Sequence, residues 1–139
     1  MLGAVDFAGS WSLHREIVDR HLGQTGLFKG SAVLRVTGTD TLHYAETGKV
    51  RFGGGPVMVA TREYSWQFKA DQVDVRFADG AAFHSFTPTG ASAGTDHPCG
   101  DDFYQVRYDF THWPTWTAEW VVNGPRKDYT SVSRYIRDL

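Results

Sequence analysis

Long stretches in which apolar and polar residues alternate are the feature that most constrains the fold. In MVATREYSWQF, one face of an extended strand would carry Ala60, Arg62, Tyr64, Trp66 and Phe68. The segments QVDVRF, YQVRYDF and WTAEWVV alternate in the same way. A period of two residues is typical of antiparallel strands that bury one face. The sequence therefore predicts an all-β protein.

Turn residues separate these alternating segments. Asp79-Gly80, between VDVRF and AAFHSF, is the strongest hairpin signal. Residues 87–101 are rich in Gly, Ser, Thr and Pro and predict a long loop. The segment 13–22 is the only helix candidate, because Leu13, Ile17 and His21 recur at helical spacing. The predicted strands are 9–18, 27–37, 41–52, 57–69, 72–78, 81–87, 102–111, 115–122 and 128–137.

Nine antiparallel strands within 139 residues must manage their sheet edges. Closing the sheet into a barrel removes the edges, and the short sequential connections favour an up-and-down order. We predict a closed antiparallel up-and-down barrel of about 8–10 strands, with little helix. The length fits a single domain over residues 1–139. A β-sandwich is the alternative.

Composition narrows the classes of partner. A net charge of −2 and a pI near 6.3 argue against nucleic acid and anionic membrane surfaces. No apolar run approaches the roughly 20 residues of a membrane span, and the first residues show no secretory signal. Cys99 is the single cysteine, which favours a reducing, cytoplasmic location. We expect a small-molecule partner, and the sequence leaves room for a homodimer.

The two ends of the chain resemble the calycin signature of lipocalins and their relatives. Gly9-Ser10-Trp11 opens the first predicted strand, and Arg134 and Arg137 lie in the last. The resemblance implies that Trp11 packs against a cation from the last strand, Arg134 or else Arg137, and closes the barrel base. A cation over an indole ring contributes about 0.5–2 kcal/mol. These residues are therefore expected to be structural.

Nearly the whole chain resembles a family of uncharacterised bacterial proteins, known only as a domain of unknown function and considered lipocalin-like. The resemblance lies in the succession GSW, ATREYSW, FADGAAFH, DHPCGDDFY and GPRKDY. It implies a lipocalin-like, or calycin-like, barrel and no established activity. The positions that it singles out are Arg62, Tyr64, Trp66, His84, His97, Cys99, Asp102, Tyr104, Lys127 and Tyr129.

Arg62 is the first candidate for ligand binding. On an inward face it would be a buried cation, and a buried guanidinium needs an internal carboxylate such as Glu46 or an anionic group on a ligand. Aromatic walls with a few polar groups are typical of small-molecule pockets, although aromatic residues also fill narrow barrels. The candidate ligand-binding residues are Arg62, Tyr64, Trp66, His84, Tyr104 and Trp120.

Residues 95–102 bring a histidine, a cysteine and three carboxylates into one loop. A metal site would draw on His84, His97 and Cys99, but no CxxC or HExxH motif accompanies them. Cys99 activated by a histidine is a second reading. A segment of turns and local backbone hydrogen bonds is the third and favoured one.

Two main classes of function remain. The first is a barrel that binds a small, largely apolar ligand, with Arg62 as the anchor for any anionic group. The second is a lyase, isomerase or decarboxylase in which Tyr64 and Tyr104 donate protons, His84 is the base and Arg62 holds the substrate. A haem-binding barrel with His84 or His97 as axial ligand is a further alternative. The sequence does not identify a cofactor.

Overall fold

The computed structural model describes residues 1–138 as one short helix and an eleven-stranded antiparallel sheet. Along the sheet the strand order is β6-β5-β4-β3-β2-β1-β11-β10-β9-β7, and β8 also pairs with β9. The elements are α1 (Ala4–Phe7), β1 (Gly9–Asp19), β2 (Gln24–Gly38), β3 (Thr41–Phe52), β4 (Met58–Phe68), β5 (Val73–Phe77), β6 (Ala82–Phe86), β7 (Ala91–Ala93), β8 (His97–Cys99), β9 (Asp102–Asp109), β10 (Trp116–Gly124) and β11 (Lys127–Arg137).

The sheet curls into a nearly closed barrel, which confirms the predicted fold class. The seam lies between β6 and β9, where the chain after β7 bridges the two strands. The backbone N–H of Thr95 donates to the carbonyl of Ser85 (2.8 Å), and that of Gly94 donates to the carbonyl of Val106 (2.7 Å). The predicted loop 87–101 therefore contributes β7, β8 and this bridge to the wall.

The helix expected within 13–22 is wrong. Most of that segment belongs to β1. This strand pairs with β2 from Gly9 to Asp19 and, on its other side, with β11 from Trp11 to Asp19. Tertiary pairing overrides the helical spacing because the same residues also alternate: Trp11, Leu13 and Arg15 are all buried. Among residues 1–138, no helix reaches the length and apolarity that a membrane crossing demands.

Two local features shape the wall around the core. A β-bulge shifts the register between β5 and β6, and both Phe83 and His84 are buried although they are consecutive. Where Gly30 of β2 pairs with β3, a Cβ at Gly30 would lie 2.1 Å from the carbonyl oxygen of Thr47. Only glycine permits such a close backbone approach.

The end of the barrel next to α1 is closed by aromatic rings. Phe7 is fully buried and makes an edge contact with Trp116 at 5.6 Å. Arg137 places its guanidinium 3.9 Å from the ring centre of Trp11 and donates to the carbonyl of Ala8. Arg134 does not take this place, because it points outward from β11 and is exposed. The cation that covers Trp11 is therefore Arg137.

Candidate functional site

A hydrogen-bonded ion pair lies inside the barrel. Arg15 donates from Nη1 and Nη2 to the two carboxylate oxygens of Glu46, at 2.7 and 2.9 Å. Arg15 Nε donates to Ser133 Oγ, and the Tyr44 hydroxyl donates to Glu46 Oε1 (both 2.6 Å). Tyr44 and Tyr135 share a further hydrogen bond of 2.7 Å, which Tyr135 donates because the Tyr44 proton is already committed.

The partners, rather than burial, set the ionisation of this pair. Burial favours the neutral form of Glu46, but the hydrogen bonds and charge of Arg15 outweigh it and hold the Glu46 pKa below its usual range. Burial alone would lower the pKa of Arg15. The hydrogen bonds and charge of Glu46 outweigh burial, so the Arg15 pKa lies above its ordinary value. Burial and the nearby Glu46 charge raise the pKa of Tyr135 to about 12. The network is thus a charged carboxylate and guanidinium surrounded by neutral phenols.

Little space remains next to this network. The cavity beside it has a volume of about 20 Å³, and Tyr64, Trp66 and His84 contribute to its lining. That volume suits a water molecule rather than an organic ligand or a haem. Trp66 is buried and stacks on Tyr44 with a ring separation of 5.8 Å, so its indole is part of the core packing.

His84 also belongs to this packed interior. Its Nε2 lies 2.8 Å from the Tyr108 hydroxyl, while its Nδ1 is buried with no hydrogen-bond partner among residues 1–138. Burial, with a smaller contribution from His97, lowers the His84 pKa to about 3. The imidazole is therefore neutral over the physiological range.

Arg62 lies nearer the open end of the barrel, the end opposite α1. Its guanidinium lies 4.8 Å from the ring centre of Trp120 and is half-buried. Glu46 is its cross-strand neighbour in the β3–β4 register, but that carboxylate is taken by Arg15. Within the described residues, no carboxylate forms an ion pair with Arg62. Among residues 1–138, this cation on an aromatic ring therefore has no ion-pair partner of its own, although its charge contributes to the lowered pKa of Glu46.

Aromatic rings surround Trp120 at this end. The indole of Trp120 contacts Phe83 at 5.2 Å, Tyr104 at 6.3 Å and Tyr64 at 6.4 Å. Phe77 stacks on Phe83 at 4.5 Å. We call these five residues the rim cluster. Apart from the buried Phe83, its members are half-buried. Burial raises the pKa of Tyr64 despite the opposing effect of Arg62, so its hydroxyl keeps its proton.

A second cation lies beside the rim cluster. Lys127 Nζ lies 3.0 Å from Asp102 Oδ2 and 3.4 Å from the Tyr104 hydroxyl, to which it donates. Unlike Arg62, Lys127 is exposed and compensated by its own carboxylate. An open cleft of about 260 Å³ lies between the two cations, with Phe52 and Tyr129 in its walls. The exposed Arg126 and the carboxylate of Asp19 also line this cleft. The open end therefore combines apolar surface with several charged groups, among which Arg62 is the half-buried cation.

The proposed metal-binding residues are not gathered around one point. His97 packs its ring on Phe83 at 5.2 Å, and His84 lies against the same ring at 4.4 Å. Cys99 is exposed on β8. Across residues 1–138, no group of three or more His, Cys, Asp or Glu side chains is placed to hold a metal ion.

The architecture defines the class of protein as a calycin-like antiparallel barrel. The chain belongs to the family of unknown function DUF6314, whose profile covers residues 7–137. The suspected membership of a calycin-like uncharacterised family is thereby confirmed. No curated protein matches the sequence.

Solved structures of the same fold have little sequence in common with this chain. An S-type phycobiliprotein lyase, CPES from Guillardia theta, superimposes with a TM-score of 0.73 at 12% identity, covering 98% of this chain and 90% of the lyase. A protein of unknown function from the DUF3598 family of Nostoc punctiforme superimposes with a TM-score of 0.63 at 13% identity over 97% of this chain. The chain spans 48% of that second protein.

The structure brings together four of the predicted ligand-binding residues: Arg62, Tyr64, Tyr104 and Trp120. It places Trp66 and His84 deeper, in the packed interior. The sequence analysis missed Arg15 as the partner of Glu46. The signal was present, because Arg15 shares the alternating face of Trp11 and Leu13 and must point inward with them.

Proposed function

We propose that this protein binds a small organic anion with an apolar body at the open end of the barrel. The uncompensated Arg62 guanidinium over Trp120 carries the proposal. A half-buried cation with no carboxylate partner is stabilised when a ligand supplies the negative charge. A guanidinium also binds carboxylate-like groups through two parallel hydrogen bonds.

The apolar part of the ligand would lie on the rim cluster and in the adjoining cleft. Aromatic rings present large apolar faces, and Trp120 already holds the cation in place. The cleft of about 260 Å³ lies near the lower end of the roughly 300–1,000 Å³ of typical ligand pockets. The ligand is therefore expected to be small and to remain partly exposed.

The packed interior argues against a ligand that is fully enclosed inside the barrel. The cavity of about 20 Å³ beside the ion pair has room for a water molecule and not for an organic ligand. Trp66 and His84 are accordingly left out of the proposed site. The S-type phycobiliprotein lyase shares the fold of this chain at 12% identity, and that likeness carries no reaction over to it.

Two fluorescent probes of similar shape test the proposal. Anilinonaphthalene sulfonate carries an anionic group, whereas phenylnaphthylamine is its neutral relative. Titration of the folded protein should show saturable binding of both, with the sulfonate bound more tightly. Arg62→Gln should weaken sulfonate binding by about tenfold to a hundredfold, the range of a lost charge-assisted hydrogen bond, and leave phenylnaphthylamine binding nearly unchanged.

Arg107→Gln is the matched control, because Arg107 is an exposed arginine on the outer face of β9. It removes the same charge without touching the open end. Equal weakening of sulfonate binding by both variants would reduce the effect to net charge and contradict the proposal. So would binding of neither probe, or sulfonate binding that Arg62→Gln leaves intact.

A further inference from the structure

One side of β4 has no neighbouring strand along its first half. β3 pairs with β4 from Met58 to Gln67, whereas β5 pairs only with Tyr64–Phe68. Within the described part of the chain, no strand pairs with residues 58–63 on the side away from β3. We call residues 57–61 the β4 edge. Such an edge presents backbone N–H and C=O groups that are ready to pair with another strand.

The β4 edge lacks the usual protection against pairing. Residues 53–61, GGGPVMVAT, contain no charge. Val57, Met58 and Val59 are 57%, 46% and 73% exposed. Proteins normally place lysines, inward-pointing charges or bulges on a free edge to prevent association. Here apolar side chains and free backbone groups coincide.

The hydrogen bonds on the β3 side show which backbone N–H and C=O groups of β4 face the free side. The N–H of Phe68 donates to the carbonyl of Asp40, at the β3 side of the strand (2.7 Å). Because these groups alternate along a regular strand, those of Val59 and Thr61 point to the free side. Pro56 lies two residues before β4 and outside the β4 edge, so its missing N–H removes no donor from residues 57–61.

We propose that the β4 edge pairs antiparallel with the β4 edge of a second copy, about a two-fold axis at Met58. The sequence Val-Met-Val is palindromic around this residue. Antiparallel pairing centred there sets Val57 opposite the partner's Val59 and Val59 opposite the partner's Val57. Met58 meets the partner's Met58. Each valine pair then exchanges two backbone hydrogen bonds and shares the outer face of the sheet.

A second copy fits this edge better than a foreign segment. The palindrome is self-complementary, and the edge carries no charge that would select an acidic or basic partner. An isologous contact of this kind also closes at two copies. The paired stretch is short, so the interface lies at the small end of specific interfaces and the dimer depends on protein concentration. The proposal does not rest on ligand binding at the open end.

Sedimentation velocity over a concentration series tests the pairing. The wild type should shift from monomer to dimer between low-micromolar and near-millimolar concentration. Val59→Glu should weaken dimerisation by about tenfold or more, because the valine contact is lost twice in each dimer and two charges enter the interface. The new carboxylate lies beside Lys49 on β3, so the monomer keeps its fold.

Val36→Glu is the control, since Val36 is 60% exposed on β2 and lies outside the β4 edge. It should dimerise like the wild type. Amide hydrogen exchange supplies an independent readout: the N–H groups of Val57 and Val59 should become protected as concentration rises. If circular dichroism shows that Val59→Glu is unfolded, Val57→Glu replaces it.

Three results would overturn the proposal. The first is a monomer at every concentration. The second is a dimer that both Val59→Glu and Val57→Glu leave intact, which would assign the contact to another surface. The third is growth beyond the dimer, because a two-fold contact cannot propagate.

Discussion

Replacing Glu46 with leucine removes one half of the buried ion pair. Arg15 and Glu46 have side chains only 5% and 2% exposed, and their closest atoms are 2.7 Å apart. The substitution leaves the guanidinium of Arg15 buried beside an apolar side chain and takes the acceptor from the Tyr44 hydroxyl. No other carboxylate in the described structure pairs with Arg15.

The expected loss is a large part of the stability of a domain this size. Two unit charges at about 3 Å attract by on the order of 5 kcal/mol at an effective dielectric constant of ~20, and desolvation offsets much of this. Breaking a buried pair from one side costs about 3–5 kcal/mol, mostly because the other charge is stranded. Arg15→Met with Glu46→Leu strands no charge, so the double variant should recover most of that loss.

Urea unfolding followed by tryptophan fluorescence measures the free energy of unfolding of the wild type, the two single variants and the double variant, which together form a double-mutant cycle. Each single variant should lower the free energy of unfolding by about 3–5 kcal/mol, with a coupling energy of about 3 kcal/mol or more. The reasoning would be refuted if the double variant lost as much free energy of unfolding as the two single variants lose together. A loss of less than about 1 kcal/mol in either single variant would do the same, since it would show that the remaining charged side chain reaches water.

Two further predictions concern pH and the barrel base. The folded-state pKa of His84 is near 3 against 6.5 for an ordinary histidine, so protonation favours unfolding. The contribution of neutral His84 to the free energy of unfolding is fully present above about pH 6.5. It declines as the pH falls toward 3, by up to about 1.4 kcal/mol per pH unit. His84→Gln should flatten the acid side of a stability profile measured by urea unfolding, and an unchanged slope would show that the imidazole is not desolvated. Arg137→Ala should lower stability by about 1–3 kcal/mol through loss of the Trp11 contact and of the hydrogen bonds to the carbonyls of Asp6 and Ala8. Thermal unfolding checks this against Arg134→Ala, which should change stability by less than about 0.5 kcal/mol; equal effects would count against the assigned barrel closure.

The strands were predictable because their evidence is local. Alternation placed β4, β9 and β10 close to their observed bounds, and the Asp79-Gly80 signal located the β5–β6 hairpin. The helix expected within 13–22 failed because a short segment satisfied both periods, and only pairing with β2 and β11 decides between them. The strands β7 and β8 were missed because three residues are too few to show a period.

The candidate site was predictable only in part. Alternation put Arg62, Tyr64 and Trp66 on one inward face, as the structure does. It could not say how far along the barrel axis each residue lies. Trp66 lies in the packed core and Arg62 near the open end, a difference that depends on the stagger of all the strands. His84 was expected to contact a ligand, yet the β-bulge turns it into the packed interior.

The sequence by itself determined most of the longer strands and the requirement for a closed sheet, because periodicity and turn chemistry act between neighbouring residues. The tertiary structure alone decided which cation meets which carboxylate. Glu46 lies opposite Arg62 in the register but binds Arg15, 31 positions away in the chain, and so leaves Arg62 without a partner. It also decided how full the barrel is and that β4 is longer than its neighbour β5. These properties depend on how distant strands are staggered and packed, and no local pattern of residues encodes that geometry.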